Sequence, residues 1–378
     1  MLPPRELSRF RKQLLGWFAQ FQRELPWRRD KDPYRVWLSE IMLQQTRVAA
    51  VIPYYERFLA QFPNIAALAD TPEEKVLRYW SGLGYYSRAR NLQAAARQIV
   101  GKHDGKFPET FSDALALPGI GNYTAAAILS IAYNKKLAAV DGNVARVLAR
   151  LGAVRGDLRE SSIWRSLQQT ADDLLAPGAP GDWNQAMMEL GATICTPRAP
   201  QCLLCPVANF CEARKLGIAE ILPEKRKKRA TVEIILGATV FLDFRGRTIL
   251  LPPPQNLESA SQKENIAALV SKMWHFPTIQ IRKNAAVELQ KHFGNFPSQK
   301  SKVAPQFEAL TPARHAVTYR KILLQPFLLR IDKLPVYPDA KIVKIINLDS
   351  LPISSLTRKV ARAANDFLAS GNSQAFST

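Results

Sequence analysis

The 378-residue chain has no run of eighteen apolar residues, roughly the length a membrane-crossing helix needs. Residues 1–15 are charged and interrupted by proline, so the unbroken apolar stretch of a secretory signal is missing too. The expectation is a cytoplasmic protein. Cysteine is scarce, with only four in the chain. A disulfide framework would spread its cysteines along the sequence and would need an oxidising compartment. Acidic residues are outnumbered: 32 Asp and Glu stand against 52 Lys and Arg, a formal net charge of +20. Such an excess points to a polyanion, of which nucleic acid is the commonest. A merely basic soluble protein is the plainer alternative, and charge alone does not separate the two. Internal repeats and low-complexity tracts are not evident.

Hydrophobic residues make up 47% of the chain, enough for full cores, and the length predicts two or three domains. Apolar residues recur at helical spacing in 34–50, 72–80, 88–100, 123–133, 144–151, 163–175 and 184–194. Pro and Gly punctuate the joints. The composition changes at the basic run 223–229, which reads as an interdomain linker, with phosphate contact or a nuclear address as alternatives. Beyond it, 231–242, 248–251 and 322–331 read as strands, and 285–292 and a segment near the C-terminus as helices. The expected organisation is a helical domain over 1–222, a linker over 223–230 and a smaller α+β domain over 231–370.

All four cysteines fall between 195 and 211, spaced Cys195-x6-Cys202-x2-Cys205-x5-Cys211. Four thiolates so close together can wrap one iron–sulfur cubane. Zinc also takes four cysteines, but zinc ribbons usually show two C-x2-C pairs and only one is present here. The pattern resembles the iron–sulfur loop of the endonuclease III superfamily of DNA glycosylases, which implies a 4Fe–4S cluster held by Cys195, Cys202, Cys205 and Cys211.

A second motif is Leu117-Pro-Gly-Ile-Gly-Asn-Tyr-Thr-Ala125. Gly119 and Gly121 allow a tight turn with exposed N–H groups, followed by the positive end of a helix, and such a turn can grip a DNA phosphate. An ordinary helical corner is the bland reading. Further on, Ala139-Val-Asp-Gly-Asn-Val-Ala-Arg146 places Asp141 just before a helical stretch, where an N-cap is its ordinary job. Together the two segments match the helix–hairpin–helix and following aspartate of the same superfamily. The resemblance implies that Asp141 stabilises positive charge developing on a nucleotide sugar. Lyase members carry an attacking lysine in the hairpin. The matching position here is Tyr123, which cannot form a Schiff base, so a glycosylase without strong lyase activity is implied.

Pro26-Trp-Arg28, Val36-Trp-Leu-Ser-Glu-Ile-Met-Leu-Gln-Gln-Thr-Arg47 and Gly82-Leu-Gly-Tyr-Tyr-Ser-Arg-Ala-Arg-Asn91 extend the likeness. They resemble the adenine-specific, MutY-type branch over nearly the whole helical half. Glu40 has Trp37 and Leu43 three residues away on either side, and an acid pressed against apolar groups has its pKa raised. It can then stay protonated near neutral pH and donate to a purine nitrogen. A solvated surface glutamate is the alternative. The resemblance implies Glu40 as proton donor with Asp141 as its partner. It further implies that Gln44, Gln45 and Tyr85 fill the duplex when the base flips out. Arg28 and Glu189 would contact the adenine, and Asn143 would sit near the catalytic centre. For each, packing or capping is the competing role. Arg47, Arg88 and Arg90 meet phosphate or are surface charge.

After the linker, Met273-Trp-His-Phe-Pro277 resembles the Trp-x-Phe-Pro segment of MutT/Nudix-like domains, without a run of glutamates spaced for magnesium. The implied role is recognition of oxidised guanine opposite the adenine. The loop used for this in the family matches Arg314-His-Ala-Val-Thr-Tyr-Arg320, where Thr318 keeps a hydroxyl but Val317 and Tyr319 depart from the family pattern. A plain strand residue is the alternative for Thr318. The expectation is a monofunctional glycosylase for adenine opposite 8-oxoguanine or guanine, monomeric on double-stranded DNA and associated with a bacterial nucleoid. Its rivals are an endonuclease III-like lyase for oxidised pyrimidines and a non-catalytic DNA-binding iron–sulfur module.

Overall fold

The computed structural model of the chain describes residues 3–224, 231–252, 273–293, 307–317, 320–351 and 353–370. The chain divides into two compact units, Met1–Thr71 with Ser87–Lys227, and Pro72–Tyr86 with Lys228–Thr378. In chain order the helices begin with α1 (Pro4–Phe21), α2 (Pro33–Leu43), α3 (Val48–Gln61), α4 (Ile65–Asp70) and α5 (Glu73–Trp80). They continue with α6 (Ser87–Lys102), α7 (Phe111–Leu115), α8 (Asn122–Tyr133), α9 (Gly142–Leu151), α10 (Ser161–Leu174), α11 (Pro180–Thr193) and α12 (Glu212–Lys215). Of these, α5 belongs to the second unit. No helix among the described residues is long and apolar enough to cross a membrane.

Local chemistry starts several helices. Asp32 accepts from Arg35 N ahead of Pro33 at the first turn of α2, and Thr110 accepts from Asp113 N at α7. The core of the first unit lines Phe10, Leu14 and Phe18 of α1 against Val144, Val147 and Leu148 of α9 and Trp183 and Met187 of α11. The α9–α11 crossing is close enough that a Cβ on Gly191 would stand 2.8 Å from that of Asn143.

One expected helix is broken. Residues 34–50 do not form a single helix: α2 ends at Leu43 and α3 begins at Val48. Between them Gln45 adopts φ 57°, a left-handed conformation that no helix can propagate. Arg88 stabilises the break. Its guanidinium, 8% exposed, donates to the carbonyls of Ile41, Met42 and Gln44 and to Thr46 Oγ1. Arg88 is therefore a buried cap of α2 and is not presented to phosphate. Arg47 remains exposed at the N-cap of α3.

The second unit is α+β. Its strands are β1 (Val232–Leu242), β2 (Arg247–Leu250), β3 (Thr278–Gln280), β4 (Phe307–Ala309), β5 (Ala313–Val317), β6 (Arg320–Arg330) and β7 (Lys341–Lys344), with helices α13 (Ala285–Phe293) and α14 (Ser355–Ala369). The main sheet runs β3-β1-β6-β4, with β5 also on β6, while β2 and β7 pair separately. β1 and β6 are parallel from Val232↔Arg320 to Leu242↔Arg330. β1 and β6 match the stretches expected as strands. β3, β4, β5 and β7 carry too few residues for a periodicity to show. Residues 314–317, expected in a recognition loop, lie in β5.

Candidate active site

A cavity of about 520 Å³ in the first unit is lined from α2, α8, α9 and α11. It gathers Arg28, Glu40, Gln44, Gln45, Tyr123, Asp141, Asn143 and Glu189, all expected site residues.

Glu40 projects from α2 and is 7% exposed. Its Oε2 accepts from the Tyr123 hydroxyl at 2.7 Å. Burial pushes the Glu40 carboxyl up to about 7; the Tyr123 hydrogen bond opposes this, nearby Asp141 adds to it and Arg28 lowers it. The phenol of Tyr123 is raised well above its usual value, by burial first and then by Glu40 and Asp141, so it acts as a neutral donor. It also reaches Met188 Sδ at 3.5 Å.

Asp141 both caps α9 and lines the cavity. Its Oδ1 accepts from Asn143 N at 2.9 Å and Val144 N at 2.7 Å, and its Oδ2 from Asn143 Nδ2 at 3.1 Å. Capping therefore orients the carboxylate. Asn143 in turn is held through its Oδ1 by Arg146 Nη2 at 2.9 Å, and Arg146 Nε donates to the Cys195 carbonyl at 2.9 Å.

Glu189 is 1% exposed and paired with two arginines. Arg23 donates Nε to Oε1 at 2.6 Å and Nη2 to Oε2 at 2.8 Å, and Arg28 Nη2 reaches Oε2 at 2.8 Å. Burial alone would raise this carboxyl, but Arg23 and then Arg28 outweigh it and hold the group below its usual range. Arg23 was not singled out in the sequence; its only local signal is charge, since its partner lies 166 positions away.

Gln44 reaches Thr124 Oγ1 at 3.5 Å. In the hairpin, Gly119 has φ 79° and a Cβ there would come within 2.8 Å of Asn91 Cβ, so the position requires glycine. Gly121 differs: it is the N-cap of α8 at φ −105°, and a Cβ would meet nothing within 4 Å. As glycine it supplies no side-chain cap to α8. Tyr85, 47% exposed at φ 47°, belongs to the second unit. Thr318 and Tyr319 lie outside the described residues, as do 225–230 of the linker.

The four cysteines are half-buried and unbridged. The loop fits a negatively charged cluster. Arg150, 1% exposed, places Nη1 3.2 Å from Cys195 Sγ, while its Nη2 is buried without a hydrogen-bond partner among the described residues. An unneutralised guanidinium beside a thiol is costly unless the site gains negative charge. As free thiols, Cys205 is pushed up to about 12 and Cys211 upward, chiefly by burial. Deprotonation there awaits a metal.

Residues 38–172 match the model of the HhH-GPD superfamily base excision DNA repair proteins, and 195–211, from first cysteine to last, match the iron–sulfur binding domain of endonuclease III. The cofactor of this loop is a 4Fe–4S cluster. Fold and site thus define a helix–hairpin–helix protein of base excision DNA repair. Among similar proteins, the adenine DNA glycosylase of Mus musculus is 33% identical over 96% of this chain and 79% of its own length. That of Buchnera aphidicola (strain Bp) is 33% identical over 87% of this chain and 88% of its length. The chain belongs to the adenine DNA glycosylase family. The human relative is 47% identical over 56% of this chain, and the match spans only 40% of that protein. A thermostable thymine-DNA glycosylase structure superposes with TM-score 0.51 at 29% identity, covering 56% of this chain and 98% of its own.

Proposed function

We propose that the chain is a monofunctional adenine DNA glycosylase that removes adenine opposite 8-oxoguanine or guanine. The observation that carries this reading is Glu40. It is a buried acid poised near 7, in one cavity with the oriented carboxylate of Asp141.

In this reading the flipped adenine enters the cavity. Tyr123 occupies Glu40 Oε2, so the transferable proton sits on Oε1 and passes to a ring nitrogen of the base. The bond between sugar and base then breaks and its electron pair leaves with adenine. Asp141, held by Asn143 and the first turn of α9, stabilises the positive sugar. Water adds to the sugar carbon, and its proton returns to the ionised Glu40. Tyr123 positions the acid and attacks nothing. Glu189, with Arg28 and Arg23, supplies the polar wall that reads the base. Gln44, Gln45 and Tyr85 fill the duplex behind the flipped nucleotide. The turn at Gly119–Gly121 and the uncapped start of α8 grip a phosphate.

The proposed domains are 1–222, 223–230 and 231–370, with the last a MutT/Nudix-like reader of the opposite base through Thr318. In support, the Trp-x-Phe-Pro segment is tied to β2's end by the bridge Leu251↔His275 and to Ile353 through Trp274. Cys195, Cys202, Cys205 and Cys211 are the proposed cluster ligands; bound there, the cluster supplies a rigid cross-link. The partner is double-stranded DNA, bound by a monomer. The test is a glycosylase assay on duplexes differing only in the target pair, with borohydride trapping in parallel. Adenine release opposite 8-oxoguanine and guanine, with little trapped protein, is expected. No release, or abundant covalent trapping, overturns the reading.

A further inference from the structure

A second cavity, of about 380 Å³, adjoins the first and is lined by α1, the Pro26–Arg28 turn and α11. Its size is that of small-ligand sites, roughly 300–1,000 Å³. The two cavities share Trp27, Arg28, Ile131 and Gln185, so these side chains are the partition. Three of them are fixed. Trp27 is 8% exposed with its ring edge on Tyr55, and Ile131 is 7% exposed. Arg28 is held by Glu189, by the Arg23 carbonyl and by the Phe18 ring at 5.3 Å. Gln185 is half-buried, and its amide has no hydrogen bond to any described residue. On the far side, Lys31 and Asp182 line the rear cavity with side chains 62% and 48% exposed, so it opens to solvent.

We propose that this rear cavity receives the free purine after cleavage, with Gln185 as the movable part of the wall. The inference rests on the adenine reading above. With the abasic strand kept at the mouth of the first cavity, a second way out would let the cleaved base leave first. A carboxamide is the side chain that matches adenine's paired donor and acceptor at N6 and N7. An amide with no hydrogen-bond partner among the described residues, lining both cavities, can bond the base on either side and hand it through. Phe18 and Trp27 contribute apolar lining to the rear cavity.

The test fills the rear cavity from positions that line it and not the first: Ala19→Trp on α1, and Ala179→Leu from the opposite wall. Enzyme in excess cleaves a duplex whose target adenine is radiolabelled. At intervals the mixture passes a nitrocellulose filter that retains protein–DNA complexes, and abasic sites are counted in parallel. In the unaltered chain, label should reach the filtrate as fast as abasic sites form. Ala19→Trp should form abasic sites within about twofold of that rate yet release label at least about tenfold more slowly. Release that keeps pace with cleavage in the filled variants, while they stay on DNA, overturns the inference. Should Ala19→Trp not fold, Ala179→Leu carries the same comparison. If the unaltered chain forms no abasic sites, the adenine reading has failed. Equilibrium dialysis of free adenine against the protein bound to a tetrahydrofuran abasic duplex then decides the cavity. Binding weakened about tenfold by filling supports it, and equal binding overturns it.

Discussion

At the scale of single residues, the chemistry of the proposed site turns on one carboxyl. Glu40 is raised to about 7 because its charged form is desolvated. Base removal should therefore be fastest below pH 7 and fall as pH rises through it. Glu40→Gln should abolish base removal with DNA affinity largely kept; single-turnover cleavage within tenfold of the unaltered rate would sink the assignment. The same shift bears on stability. A raised folded pKa means the folded state holds the proton that the unfolded state gives up. Stability is then complete below the ordinary value of 4.5, declines as pH rises, and stays lowered above about 7. The loss amounts to about 3 kcal/mol at roughly 1.4 kcal/mol per unit. Glu40→Gln should consequently be the more stable protein at pH 8 and indistinguishable at pH 4. Urea melts at both values check this, and an equal difference at both would refute it.

At the scale of elements, the hairpin separates two glycines that look alike in sequence. Gly119 is bound by a positive φ and by Asn91 at 2.8 Å, whereas Gly121 faces open space at φ −105°. Gly119→Ala should cost about 1–3 kcal/mol, from backbone strain and displacement of Asn91. It should also weaken DNA binding, because the turn presenting its N–H groups is distorted. Gly121→Ala should cost less, about 0.5–1 kcal/mol, because alanine is a poorer N-cap but meets no strain or clash there. Paired urea titrations and DNA affinities at matched salt distinguish the two. Equal effects would mean that the turn's geometry is not what glycine supplies. The iron–sulfur loop behaves as an element of another kind. Its residues 195–211 include only a short 3₁₀ turn, Ala208–Phe210, and carry four free thiols. Cys202→Ser should lower soluble yield and iron content together. Anaerobic preparations with one zinc and no iron would contradict the cluster.

At the scale of the whole molecule, a net charge of +20 should make the proposed DNA binding salt-dependent, so preferences between substrates are to be read at one ionic strength. Within that, the proposed reader of the opposite base is Thr318. Losing one neutral hydrogen bond costs about 0.5–1.5 kcal/mol, or roughly a two- to tenfold loss of preference. Thr318→Ala should narrow the gap between 8-oxoguanine and guanine duplexes while leaving cleavage intact. The check is affinity and single-turnover rate on both. An unchanged gap would leave Tyr319 as the next candidate.

Much of this was legible in the chain because it depends on neighbours in sequence. The spacing of four cysteines, the capping position of Asp141 and the apolar surroundings of Glu40 on its helix are short-range facts. So are β1 and β6, each long enough for its pattern to show. What the tertiary structure decided depends on residues far apart. Tyr123 meets Glu40 across 83 positions, and Arg28 meets Glu189 across 161. Arg88 reads as surface charge until α6 carries it beneath the end of α2, where three carbonyls require a donor. Propensity and capping are set within a turn or two of chain. Burial is set by whatever folds over a residue, and with burial come a carboxyl's pKa, an arginine's partner and the wall between two cavities.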